Sequence, residues 1–316
     1  MGRKRKAITP DMMRKWAEMA HVFFIDALSS GAPLALKQIA FHGGTNLHLS
    51  WGSPRFSEDL DFLVNRDFAG QMRDVMPRIE RRMRSMMSAV DPSLQVKIDD
   101  RTREGSNLIN FRIVITSPEI VGQSMVKAEF WQVGSDYLSD YETCFKHPVA
   151  RGDIMSRLSQ PLPAGTLEAA YADKVVALGN RPHLKWRDLF DLWWITGQEK
   201  VEPAAMVEQI RHQASAYTGP DGQSLSEGLR KFLERDPVDV MSQADPDLRR
   251  WLPKAFWDAV NPDGIREMVD RARHIAEVIS TQLEARVEIQ PDPDAAMRDH
   301  GPRAQEEVHD DAYPCP

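Results

Sequence analysis

Apolar residues recur at helical spacing between Asp11 and Ser30, with Met12, Trp16, Met19, Phe23 and Ile25 to Leu28 on one side. A short apolar run over 34–42 predicts a strand that ends at Gly43-Gly44, and 45–51 predicts one or two helical turns. The segment 58–64, "EDLDFLV", alternates as a strand does: Leu60, Phe62 and Val64 point one way, and Asp59, Asp61 and Leu63 the other. A Met- and Arg-rich helical stretch follows over 68–90, in which Pro77 is expected to kink or restart the helix. Residues 94–100 and 107–115 flank "RTREGS" and predict a hairpin. Residues 124–133 predict another strand, with Lys127 and Glu129 on one face and Val126, Ala128 and Phe130 on the other.

After about residue 150 the period becomes helical. Two helices are expected in "TLEAAYADKVVALGNR" and "LKWRDLFDLWWITG", broken at Arg181-Pro182, and more over 203–215, 223–234 and 262–285. Leu167, Tyr171, Val175 and Leu178 cover an apolar face of the first. Trp186, Leu189, Phe190 and Trp193 cover that of the second. Trp193 and Trp194 read as core, not as a platform for stacking bases. A Pro/Asp-rich stretch over 236–254 separates the later helices, and no internal repeat is present. The fold class is therefore α/β of the α+β kind. The expected domains are 1–150, a helical domain at 151–286 and a Pro- and acid-rich disordered tail at 287–316.

Charge changes this picture only locally. The 316-residue chain carries a net charge of −7. The tail holds eight acids and two bases, so the body is nearly neutral and keeps basic patches such as "RRMR" at 81–84. Charge alone selects neither a nucleic-acid nor a protein partner. No apolar run reaches the ~18 residues of a membrane span, and no signal-peptide core follows the basic start, so a cytoplasmic location is expected. Cys144 and Cys315 have no metal-site or disulfide-framework spacing.

The chemistry concentrates in "FHGGTNLHLSWGSPRFSEDLDFLV", 41–64. Asp59 and Asp61 sit on one strand face, roughly 7 Å apart along the chain. Two carboxylates there repel each other unless a divalent cation shares their charge. Mg²⁺, with Mn²⁺ as the alternative ion, suits one or two carboxylates plus substrate phosphates and water. Glu129 on another strand is the natural third ligand. Gly43 and Gly44 permit close backbone approach to a phosphate, and Thr45 opens a helix whose N-terminus favours anions. Arg55 and Ser57 add donors to phosphate or steady the loop. Together these residues suggest a site for a nucleoside triphosphate.

"GGTNLHL…RFSEDLDF" followed by "ADKVVALGNR…KWRDLFDLWW" resembles the AbiEii/AbiGii-type nucleotidyltransferase toxins, which include the MenT-type enzymes. The resemblance covers about 20–200, in two blocks in the family's order. It implies a polymerase-β-like nucleotidyltransferase domain with a mixed sheet and a helical C-terminal domain that completes the active site. It implies Mg²⁺-dependent transfer of an NMP from an NTP to an acceptor, RNA such as the tRNA 3′ end in some members, and a cognate antitoxin. Gly43 and Gly44 match the glycine motif and Asp59 and Asp61 the metal-binding pair. Lys174 matches the D-K motif that contacts triphosphate, and Asp188 and Asp191 the R-D-x-x-D motif with its essential acid. His42 departs from the family, where Lys is frequent. Beside this block Lys174 and Arg181, close on one helical stripe, become candidate triphosphate ligands that Asp188 or Asp191 orients. The competing readings are a nucleotide- or partner-binding module without transfer, and NMP transfer to a protein hydroxyl.

Overall fold

The computed structural model describes residues 5–31, 38–149, 160–218 and 223–287. Helices α1 (Pro10–Gly31), α2 (Gly43–Ser50), α3 (Arg66–Val90) and α4 (Ser135–Asp140) are interspersed with strands. These are β1 (Lys6–Ala7), β2 (Ile39–His42), β3 (Leu60–Asn65), β4 (Gln95–Asp100), β5 (Leu108–Thr116), β6 (Ile120–Val121), β7 (Ser124–Val133) and β8 (Thr143–Lys146). β9 (Leu162–Gly165) leads into α5 (Leu167–Asn180), α6 (Trp186–Gln198), α7 (Val207–Thr218) and α8 (Gln223–Leu233). Short helices α9 (Pro237–Ser242), α10 (Ala244–Leu248) and α11 (Lys254–Val260) precede the long α12 (Asp263–Val287).

The main sheet has seven strands in the order β4-β5-β7-β3-β2-β9-β8, and it is mixed: β3 runs parallel to β7 and β2 parallel to β9, while the other pairs are antiparallel. This is the α/β class that the periodicity predicts, with the mixed sheet that the family resemblance implies. One sheet face is apolar. Phe62, Val64, Phe130 and Ile113 pack there against Phe24 and Leu28 of α1 and Met72 and Met83 of α3. Phe62 and Phe130 stack with centroids 4.8 Å apart, directly opposite each other in the β3–β7 ladder. A second apolar cluster lies among the later helices, around Tyr171, Trp186, Phe190, Leu229 and Ile279.

Three local expectations change. α3 runs unbroken from Arg66 to Val90 with Pro77 inside it, so the helix does not restart. Pro77 is exposed, so water can satisfy the carbonyl that its missing N–H would have engaged, while Met72, Val75, Met76, Ile79 and Met83 keep one buried stripe on either side. β3 begins at Leu60, which leaves Asp59 just outside the ladder. The Pro/Asp-rich stretch holds short helices, started by proline after Asp236, whose side chain accepts the Val238 N–H. The expected disordered tail, 287–316, lies outside the described residues except for Val287. So does most of the 34–38 part of the strand expected to end at Gly43.

Candidate active site

Four polar residues form one row across four strands. His42 on β2 is opposite Asp61 on β3, Asp61 is opposite Glu129 on β7, and Glu129 is opposite Asn110 on β5. Side chains in register share a face, so strand pairing alone brings Asp61 and Glu129 together. Asn110 Nδ2 donates to Glu129 Oε1 at 3.0 Å. Asp59, two residues before Asp61, extends the carboxylate group. Its backbone carbonyl accepts from the Thr45 hydroxyl, so buried Thr45 fixes the approach to β3.

Burial raises the Asp61 carboxyl above the usual range; nearby His42 opposes that and Asp59 adds to it. Burial also raises Glu129, with the Asp61 charge reinforcing it. The three acids thus sit in a field that is too negative. Lys127 supplies part of the missing charge, with Nζ 3.5 Å from Asp59 and 3.9 Å from Glu129. His42 supplies more. Burial would lower its pKa, but the hydrogen bond and charge of Asp173, helped by Asp61, raise it. Asp173 Oδ2 takes His42 at 3.3 Å and the Tyr141 hydroxyl at 2.8 Å. His42, where the family often has Lys, thus stands before the glycines in a hydrogen bond with Asp173.

The two glycines divide the site. Gly43 has φ +74°, and a Cβ there would lie 2.4 Å from Asp61 Oδ2. Gly44 keeps its missing Cβ for the other side, since one would lie 2.4 Å from Arg55 Nη2 and 2.8 Å from Ser57 Oγ. Both residues begin α2, whose N-cap His42 makes no side-chain capping bond. The first turn of α2, whose N–H groups have no partner within the helix, begins at residues that line the cleft.

Beyond Gly44 lies a buried ion cluster. Arg55 grips Asp191 with two bonds, Nε to Oδ1 at 2.7 Å and Nη2 to Oδ2 at 2.8 Å. Lys174 Nζ lies 2.9 Å from Asp191 and 3.1 Å from Asp188, and Arg181 Nη1 lies 2.8 Å from Asp188. Burial would raise Asp191 and lower Lys174, but their opposite charges win, holding Asp191 below and Lys174 above their ordinary ranges. Three cations face two carboxylates, so the cluster carries spare positive charge. Arg55 and Asp191 are sealed inside, whereas Arg181 is 42% exposed.

A cleft of about 370 Å³ joins the two groups, lined by Gly43, Gly44, Asp61, Lys174 and Arg181 among others. Its lining mixes the carboxylates of Asp61 and Asp173 with the cations of Lys174 and Arg181 and the two glycines that begin α2. The structure thus brings Asp59, Asp61 and Glu129 together, and separately gathers Arg55, Lys174, Arg181, Asp188 and Asp191. Thr45, Arg55 and Ser57 are buried supports, not open donors. The carboxylates are oxygen donors with excess negative charge, which fits a hard divalent cation. They are not a closed cage: among the described residues no three His, Cys, Asp or Glu side chains are gathered tightly enough to hold an ion alone.

A family model described as "Nucleotidyl transferase AbiEii toxin, Type IV TA system" matches residues 26–253. By class the protein is a nucleotidyltransferase. More particularly, the chain belongs to the AbiEii toxin family of type IV toxin–antitoxin systems. Among solved structures it is similar to JHP933 from Helicobacter pylori, with 17% identity over 93% of this chain and 100% of that one and a TM-score of 0.49. It is similar to MenT4, a nucleotidyltransferase toxin from Mycobacterium tuberculosis H37Rv, with 14% identity over 87% and 93% of the two chains and a TM-score of 0.49. A comparison with curated proteins gave no match. Among the described residues no helix is long and apolar enough to cross a membrane.

Proposed function

We propose that the protein transfers an NMP from an NTP to the hydroxyl of an RNA acceptor, such as a tRNA 3′ end, and that an antitoxin restrains it. The observation that carries this reading is the composition of the cleft: Asp61, which pairs in register with Glu129, shares it with Gly43, Gly44, Lys174 and Arg181. The triphosphate lies along Gly43, Gly44, Lys174 and Arg181. Backbone N–H groups and cations there take the charge that builds on departing pyrophosphate. Asp188 and Asp191 are positioning residues that aim Lys174 and Arg181. Asp59, Asp61 and Glu129 hold Mg²⁺ or Mn²⁺, which when bound polarises the α-phosphate and offsets their negative charge. In the transfer the acceptor oxygen bonds to the α-phosphorus and the α–β bridging bond breaks. Pyrophosphate leaves, and the hydroxyl proton passes to solvent water.

The test is incubation of the full chain with each α-labelled NTP and total RNA, with and without Mg²⁺. Label on RNA is expected, dependent on divalent cation, abolished in Asp61→Ala and mostly lost in Lys174→Ala. Label on protein, or tight NTP binding with no transfer under any condition, contradicts the reading.

A further inference from the structure

The sheet face that bears Asp61 and Glu129 is covered on one side and bare on the other. Near β2 and β3 it is closed: Ala40 and Leu63 pack with Leu138, Tyr141 and Ala169. Over β4, β5 and β7 alternate residues stay exposed or half-exposed, while α1 and α3 occupy the opposite face. One wet face is ordinary for antiparallel strands. Its charge arrangement is specific. Asp99 on β4 holds three cations at once, with Lys97 at 2.6 Å, Arg112 at 3.1 Å and Arg101 at 3.4 Å. One carboxylate does not neutralise three cations, so these four side chains carry a net positive charge of about two, and all three cations reach solvent. Asp99 is opposite Arg112, and Arg112 is opposite Lys127. That row lies next to the one holding Asn110, Glu129 and Asp61. The positive spot therefore begins one step from the carboxylates, on the side away from Lys174 and Arg181.

We propose that this open face is where the acceptor docks, and that the acceptor is an RNA strand whose phosphodiesters sit on Arg101 and Arg112. The proposal rests on the transfer reading above. The NTP's phosphates occupy the β2 side of the carboxylates, which leaves the β7 side for the attacking hydroxyl. A strand of RNA needs a row of cations outside the site, and Arg is the side chain that grips phosphate with two bonds. A protein hydroxyl has no such need. Asp99 fixes the fan of cations without cancelling it.

The test uses the full chain and a 5′-labelled single-stranded oligoribonucleotide, with binding followed by anisotropy across a salt series. For Arg101→Ala/Arg112→Ala we expect at least tenfold weaker binding at low salt. The slope of log affinity against log salt should also be shallower by about one to two. The NTP-induced thermal shift should stay as in wild type. Arg112→Lys should recover most binding, which separates lost charge from lost fold. Arg78→Ala/Arg81→Ala, on exposed α3 positions of the far face, should bind as wild type does. Unchanged RNA binding in the Arg101/Arg112 pair, or no RNA affinity in wild type, overturns the proposal; so does transfer of label to a hydroxyl-bearing peptide in preference to RNA. Intact, Arg101/Arg112-dependent RNA binding without NMP transfer would instead break the transfer reading and leave the docking face standing.

Discussion

Two charged groups border one cleft, and they are built on opposite plans. The Arg55–Asp191–Lys174–Asp188–Arg181 cluster is buried and bidentate at its Arg55–Asp191 centre, and it opens to solvent at Arg181. In the Asp59–Asp61–Glu129 group burial holds two carboxyls above their usual range, although His42, Lys174 and Arg181 act against this at Asp61 and Lys127 at Glu129. The first cluster is costly to break, because Asp191 is shared by two buried cations. The second carries mutual repulsion that, on the proposed reading, metal and triphosphate would offset. On that reading the first group positions the cleft and the second takes part in its chemistry.

The largest effect expected from breaking this contrast is on the buried side. Asp191→Ala strands Arg55 and Lys174 in the interior, and losing one partner of a buried pair costs about 3–5 kcal/mol. Urea unfolding should show a midpoint far below wild type; a midpoint near wild type would mean that the cluster is looser than its geometry.

The second effect lies beside both groups. His21 is buried, its Nε2 lies 2.7 Å from the Glu58 carbonyl, and burial pulls its pKa down to about 4. The unfolded chain takes up this proton near the ordinary value of about 6.5. Acid therefore favours unfolding. The contribution is complete above about pH 6.5 and declines by about 3 kcal/mol as pH falls toward 4. Denaturation at a series of pH values should show this slope in wild type and a shallower one in His21→Gln.

The smallest effect separates two neighbouring glycines. Gly44→Ala pushes a methyl into Arg55 and Ser57 and should cost about 1–3 kcal/mol of stability, read in the same unfolding assay. Gly43→Ala pushes instead on Asp61 from a left-handed backbone, costing about 1–2 kcal/mol in strain, and should lose transfer activity out of proportion to its stability. If the two variants lose stability and activity in the same ratio, the cleft is not divided as described.

Much of the carboxylate side was legible in the sequence, because it rests on short-range rules. The period of two placed Asp59 and Asp61 on one face and Lys127 with Glu129 on another strand, and pairing of β3 with β7 did the rest. Asn110 was within reach of the same reasoning once β5 is set against β7, yet no local signal fixes that register. The buried side was legible only in its members. Nothing in the spacing of Arg55 and Asp191, 136 residues apart, says that they close a fork, and Arg55 read equally well as a phosphate donor. Nor does the spacing show His42 paired with Asp173 across 131 residues. Strands β8 and β9 were missed because they are four residues each, too short for alternation to register, with Pro163 inside the second. The glycines were singled out for close approach of a phosphate, whereas what their missing side chains make room for here is Asp61 at Gly43 and Arg55 and Ser57 at Gly44.

The most direct test of the contrast is the thermal unfolding of Asp61→Asn, without ligand and with Mg²⁺ plus NTP. Removing one of three mutually repelling acids should leave the ligand-free melting temperature at or above that of wild type, while the upward shift on adding Mg²⁺ and NTP disappears. A ligand-free melting temperature that falls as far as that of Asp191→Ala, or a ligand shift as large as in wild type, would contradict it.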